Sequence, residues 1–167
     1  AQVSDRLEDD LNRIYDVPVP TDTGTPDNRF WTEGADEYNA IAIECHIPPV
    51  ADDNGLLDGY TIGVKDLIRI AGIPMRCGST MMHGYIPSSD ATVITRIRNA
   101  GGRITAKTTL DEFAGGGRGR TSRGLVLNPR NPDRIAGGSS GGSGAAVAAG
   151  FWDVALGTDT GGSTRVT

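Results

Sequence analysis

Two serine clusters set among glycines are the residues of this sequence best placed to do chemistry. Gly137-Gly138-Ser139-Ser140-Gly141-Gly142 and Gly161-Gly162-Ser163 both lie within residues 134–165. Between them run a small-residue helix candidate at 143–149 and a short apolar stretch, Val154-Ala155-Leu156. Glycine tolerates positive φ and lets another group come very close. A hydroxyl flanked by glycines therefore stands on a tight turn with bare N–H groups beside it. Such a loop either cradles an anion at a helix N-terminus or presents a nucleophile next to an oxyanion hole.

A serine hydroxyl is a weak nucleophile and needs a base. Histidine is the usual one, but neither of the two histidines, His46 and His83, falls at a strand end beside the glycine turns. A lysine serves if burial lowers its pKa enough to leave a neutral amine, and Ser–Lys catalysis occurs on folds unrelated to the histidine triad. Of 16 basic residues only Lys65 and Lys107 are lysines. A chain that avoids lysine yet keeps one behind Ile62-Gly63-Val64 has a use for an amine there. Oxyanion donors would come from the backbone N–H groups of Thr160, Gly161, Gly162 and Ser163. Residue types alone leave open which lysine is the base. They also leave open which of Ser139, Ser140, Ser143 and Ser163 attacks.

The elements that must position these groups read as an α/β series. Residues 4–16 pattern as a helix, with Ser4 as N-cap and Leu7, Leu11 and Ile14 on one face. Residues 17–34, rich in Pro, Thr, Asp and Gly, read as a connecting loop. Ile41, Ile43, Cys45 and Ile47 alternate with Ala42, Glu44 and His46, the pattern of a half-buried strand ended by Pro48-Pro49. Residues 60–66 form a strand carrying Lys65 at its far end. Asp90 is expected to cap a helix with Val93, Ile94, Ile97 and Ala100 on its apolar face and Arg96 and Arg98 outside, stopped by Gly101-Gly102. Residues 103–107 are the next strand. Residues 114–134, with three consecutive glycines and scattered arginines, read as a long ordered loop. A helix from Ser140 and a strand at Val154 complete the series, which implies parallel strands joined by crossovers. Chemistry in such sheets gathers at the strand C-terminal ends, where Lys65, Lys107 and the turn at 157–163 all fall.

Composition narrows the function classes. The 167 residues suffice for one ordinary domain. No run of about 18 apolar residues is present, and the acidic N-terminus lacks the order of a signal peptide, so a cytoplasmic protein without a membrane partner is expected. A net charge of −5 argues against direct nucleic-acid binding. Cys45 and Cys77 lack C-x-x-C spacing and read as reduced, partly buried thiols. The histidines stand far from other ligand types, and no metal site is expected.

Three blocks carry a resemblance to a known family. They are Gly63-Val64-Lys65-Asp66, then Gly137-Gly138-Ser139-Ser140-Gly141-Gly142-Ser143, then Gly157-Thr158-Asp159-Thr160-Gly161-Gly162-Ser163-Thr164-Arg165. In this order, and with Ser139 and Ser163 this far apart, they resemble the amidase signature hydrolases. Lesser echoes are Gly78-Ser79 and Ala106-Lys107-Thr108 with Asp111-Glu112-Phe113. The resemblance runs from about Leu57 to the C-terminus. It implies a mixed sheet flanked by helices, with residues 1–34 as an N-terminal helix and loop and 35–167 as the incomplete N-terminal portion of the domain. Carried over by position, it makes Ser163 the nucleophile, Lys65 the base and Ser139 the bridge, with a cis Gly138–Ser139 peptide. Ser140, Asp159 and Arg165 become supporting residues, and Lys107 an ordinary strand-end salt-bridge former.

The implied activity is hydrolysis of a small-molecule carboxylic amide through a Ser-Ser-Lys relay and an acyl-enzyme, without metal or organic cofactor. An alternative inside the family is the glutaminase (A-type) subunit of a tRNA-dependent amidotransferase, whose partner subunit holds the tRNA. The resemblance leaves room for a homo-oligomer as well. From another class, the rival is an anion- or nucleotide-binding module. It lacks the G-x-x-x-x-G-K-[ST] lysine, and Arg134-Ile135-Ala136 is a poor preceding strand. The cluster Arg118, Arg120 and Arg123 reads as a solvated loop face, in a stretch where the family carries Ser, Thr and Asn. Family members continue for well over this length again, so the 167 residues alone are expected to be poorly folded and inactive.

Overall fold

The computed structural model describes residues 28–50 and 55–167. The helix expected at 4–16 lies outside them. Among the described residues nine strands and two α-helices follow in order: β1 (Phe30–Glu33), β2 (Ile41–Ile47), β3 (Thr61–Lys65), α1 (Thr92–Asn99), β4 (Arg103–Thr108), β5 (Arg120–Thr121), β6 (Gly124–Leu125), β7 (Leu127–Asn128), β8 (Asn131–Ile135), α2 (Gly141–Ala148) and β9 (Val154–Leu156). Five of the strands make one sheet in the order β1-β2-β4-β3-β9. The β3 strand pairs parallel with both β4 and β9, while β2 pairs antiparallel with β1 and β4. The sheet is thus mixed, with its parallel half carrying the candidate chemistry.

The β-branched composition of β2, β3 and β4 suits a pleated, covered surface. On one face Ile43, Ile47, Ile62, Val64 and Ile104 pack with Ile94 and Ile97 of α1 into an isoleucine-rich core. Covering the other face are Ala145 and Ala146 of α2 with Ala40 and Val126. Small residues let α2 lie close to the strands. Gly63 serves the same end, since a Cβ there would come 2.7 Å from the Trp152 ring. A register shift between the Ile62 and Gly63 partners puts one extra β4 residue in the ladder. Lys107 then shares a face with Val64, and Thr108 with Lys65.

Four expectations are corrected. The stretch 17–34 is not all loop: Phe30-Trp31-Thr32-Glu33 pairs with β2, and the Phe30 ring lies 6.1 Å from that of His46. Turn-forming neighbours masked three β-formers, Phe30, Trp31 and Thr32. Asp90 does not cap α1; the N-cap is Ala91, without a side-chain cap bond. The carboxylate instead accepts from Arg29 at 2.6 and 2.7 Å, from the Ala71 N–H at 2.8 Å and from Arg98 at 3.2 Å. Arg98 is therefore buried, not outside, with its Nε donating to the Pro48 carbonyl. Within 114–134 the chain forms two small two-stranded sheets, β5–β6 and β7–β8. There Arg123 is exposed, and its guanidinium also donates to the carbonyls of Gly34, Ile41 and Ala42.

Candidate active site

Lys65 ends β3 with its side chain fully buried, on the face covered by α2. Its Nζ donates to three hydroxyl oxygens: Ser139 Oγ at 2.8 Å, Ser140 Oγ at 2.9 Å and Thr158 Oγ1 at 2.8 Å. Among the described residues no carboxylate touches it. Burial lowers its pKa to about 8, against a smaller raising effect from the fields of Asp111 and Asp159. A base poised near neutrality is what general-base chemistry calls for.

The serine loop leads directly into α2. Ser140 is the N-cap of that helix, and the Gly138–Ser139 peptide is cis. Ser139 and Ser140 are both buried but differ in what their protons do. Ser140 Oγ donates to the Thr158 carbonyl at 3.1 Å and accepts from the Thr158 N–H at 3.3 Å. Its proton is committed. Among the described residues Ser139 Oγ has one partner, Lys65 Nζ, so its own proton is free to move. Ser143 leaves the list of nucleophiles: its hydroxyl joins Thr108 Oγ1 at 2.7 Å and the Leu156 carbonyl at 2.9 Å, tying α2 to the sheet.

The second serine turn follows β9 and docks on the first. The Ser140 N–H donates to the Ser163 carbonyl at 3.0 Å. Among the described residues no hydrogen bond joins the Ser163 hydroxyl to Ser139 or to any other group. Asp159 organises the turn by accepting from the N–H groups of Gly162 at 2.7 Å and Thr164 at 3.1 Å, and it pairs with Arg165 at 3.0 Å. Arg165, with backbone N–H groups adding to it, holds the Asp159 carboxyl far below the usual carboxylate range. Asp159 and Arg165 thus tie the turn together. Of the four expected oxyanion donors, Gly162 has its N–H turned to Asp159. The N–H groups of Thr160, Gly161 and Ser163 make no hydrogen bond among the described residues.

Lys107, the competing amine, is equally buried but forms an ion pair with Asp66 at 2.6 Å. That pair is enclosed, unlike an ordinary strand-end bridge. Burial pushes the Cys45 thiol up to about 12, and Cys77 is raised for the same reason. Both thiols are free. Among the described residues no cluster of three or more His, Cys, Asp or Glu could hold a metal, and no helix is long and apolar enough to cross a membrane. Two residues at the site went unassigned in the sequence. Thr158, inside a quoted block, supplies Lys65 with its third acceptor. Asp111, from one of the lesser echoes, lies buried against Gly138. A cavity of about 610 Å³ opens beside Thr158, lined largely by Ile68, Met75, Tyr85, Val93 and Leu156.

A buried amine thus lies among serine hydroxyls on an α/β sheet, beside a glycine turn. Residues 34–166 match the amidase family model, and the chain belongs to that family. It is 51% identical over 129 residues to the A-type subunit of the glutamyl-tRNA(Gln) amidotransferase of Natronomonas pharaonis, covering 77% of this chain and 30% of that one. The Haloarcula marismortui protein of the same name is 52% identical over 130 residues, with the same two shares. The chain thus spans about a third of the length of these relatives. Among solved structures, the corresponding A-type amidotransferase subunit of Thermotoga maritima superposes with a TM-score of 0.63 at 36% identity, covering 74% of this chain and 27% of that one. The native peptide amidase of Stenotrophomonas maltophilia gives 0.62 at 37% identity, covering 65% and 23%.

Proposed function

We propose that the chain carries the catalytic core of an A-type glutaminase subunit, releasing ammonia from glutamine for a tRNA-dependent amidotransferase. The motifs by themselves support a general amidase. The identity of about half to relatives of that name favours the amidotransferase role. The observation that carries the chemistry is Lys65, fully buried, ringed by three neutral hydroxyls and, among the described residues, without a contacting carboxylate.

Neutral Lys65 takes the proton of Ser139 as Ser139 takes that of Ser163. Ser163 Oγ attacks the side-chain carbonyl carbon of the amide, and the C–N bond breaks as the relay returns a proton to the departing ammonia. Water then cleaves the acyl-enzyme by the same path. Ser139 is the bridge, not Ser140, because its proton has no competing acceptor. The N–H groups of Thr160, Gly161 and Ser163 face the developing oxyanion, while Gly162 keeps the turn on Asp159. Ser140 and Thr158 hold the amine in place, and Asp159 with Arg165 stiffens the turn. The apolar cavity beside Thr158 gives the acyl group one wall.

The test uses the full-length protein with a fluorophosphonate probe and an ammonia-release assay on glutamine. Covalent labelling lost in Ser163→Ala, with ammonia released from glutamine, supports the reading. Labelling with hydrolysis of peptide or simple amides in preference to glutamine would move the protein to the wider amidase reading. An unlabelled protein that binds inorganic phosphate would return the glycine loops to anion binding.

A further inference from the structure

Three carboxylates concern Lys65: Asp66 adjoins it in sequence, while the fields of Asp159, on the Ser163 turn, and Asp111, behind the Ser139 loop, reach its amine. Two of them have their own cations. Asp66 is paired with Lys107, and Asp159 with Arg165. Asp111 has none among the described residues. Its side chain is 1% exposed, its Oδ2 accepts from the Arg118 backbone N–H at 2.6 Å, and its Oδ1 is buried without a hydrogen-bond partner. A buried carboxylate with an unpaired oxygen is costly unless another charge offsets it.

The position of that oxygen indicates the offsetting charge. An added Cβ on Gly138 would come 2.4 Å from Asp111 Oδ1, so the carboxylate lies directly against the residue before Ser139. The Asp111 N–H also donates to the Ser139 carbonyl at 3.3 Å. Asp111 therefore grips the loop from its main chain and faces it with its side chain. On the far side of that same loop, Ser139 Oγ receives Lys65 Nζ.

We propose that Asp111 is a positioning residue whose unpaired carboxylate acts, across the Gly138–Ser139 loop, as the counter-charge of Lys65 and sets how readily that amine gives up its proton. This rests on the reading of Lys65 as the base. Asp111 leads the charges whose field reaches Lys65, and it opposes the effect of burial. The division of labour is physical: burial alone would leave the amine neutral but weakly basic, and a carboxylate one loop away restores some proton affinity without forming the contact pair that would trap it.

The test is Asp111→Asn in the full-length protein, which keeps the shape and the acceptor for the Arg118 N–H while removing the charge. Asp111→Ser serves as a second variant should the amide disturb the loop, and Glu112→Gln is the control on the neighbouring carboxylate, which is held by Ser79. The readout is the titration of Lys65 by NMR of protein labelled with 13C at lysine Cε, the signal being identified by its loss in Lys65→Arg. The expected result is a Lys65 pKa lower by about half a unit to one unit in the Asp111 variants and unchanged in Glu112→Gln. The acid limb of fluorophosphonate labelling at Ser163 should move down with it. An unshifted Lys65 titration in a folded Asp111 variant overturns the proposal. A shifted titration in a protein whose Ser163 never labels upholds it and instead removes the hydrolase reading.

Discussion

Lys65 and Lys107 end neighbouring parallel strands, are equally buried and lie one register step apart. That single step puts them on opposite faces of the sheet. Lys107 meets the carboxylate of Asp66 among isoleucines, and Asp66 is further engaged by the Arg76 N–H at 2.9 Å. Lys65 meets hydroxyls delivered by α2 and by the turn after β9. An ammonium in contact with a carboxylate forms an ion pair and serves structure. One held by neutral oxygens in the same degree of burial keeps a proton it can lose. What separates a base from a strut is the chemistry of the atoms facing it.

The largest expected effect tests that difference directly. Lys65→Met should lower kcat/KM by about 10²–10⁴-fold, the usual worth of a general base, with the folded fraction unchanged by circular dichroism. Lys107→Met should do the reverse. It leaves the Asp66 charge buried and alone, which costs about 3–5 kcal/mol, read as a lower urea midpoint, while turnover per folded molecule stays near wild type. If the two variants show the same pattern, the two lysines share one role and the comparison fails.

The pH dependence sharpens it further. Because the folded pKa of Lys65 is about 8 against 10.5 ordinarily, the unfolded chain binds more protons between those values. Stability then rises with pH across that window. Below pH 8 both states hold the proton, and the penalty of burying the charge is fully present. The rise should be on the order of 1–3 kcal/mol in urea titrations and absent in Lys65→Met. The neutral fraction that can act as base is about a tenth at pH 7 and about nine-tenths at pH 9 for such a pKa. kcat/KM should climb about tenfold over that interval.

What the sequence made legible follows from how local the signal is. The strands at β2, β3 and β4 and the helix α2 announce themselves through alternation and through small residues next to glycine turns. The three blocks name Lys65, Ser139 and Ser163, and the first two are indeed in contact. What stayed hidden depends on partners distant in sequence. Arg98 looks like a surface residue on the helix pattern until Asp90 and Pro48 arrive to receive it. Phe30-Trp31-Thr32-Glu33 becomes a strand only because β2 has an open edge. Thr158 and Asp111 lie inside the quoted motifs, but nothing local marks their roles, which depend on which way they face once two loops have docked. The commitment of the Gly162 N–H to Asp159 is hidden for the same reason: a glycine turn offers its donors equally until a carboxylate chooses one.

The smallest effect concerns Thr158, which separates holding the amine from tuning it. Thr158→Val keeps the shape but removes one of three hydroxyl acceptors on Lys65. An acceptor favours the charged form, so its loss should lower the pKa of Lys65 and move the acid limb of kcat/KM to lower pH, by about half a unit. The remaining contacts to Ser139 and Ser140 keep Nζ beside the bridge, so the plateau rate at high pH should fall only a few-fold, as for one removed hydrogen bond of about 1 kcal/mol. The two readouts diverge if Thr158 instead fixes the position of Nζ. Then the plateau drops strongly while the limb stays where it was. A shifted limb with a preserved plateau is the result that ties the proton affinity of Lys65 to the hydroxyls that distinguish it from Lys107.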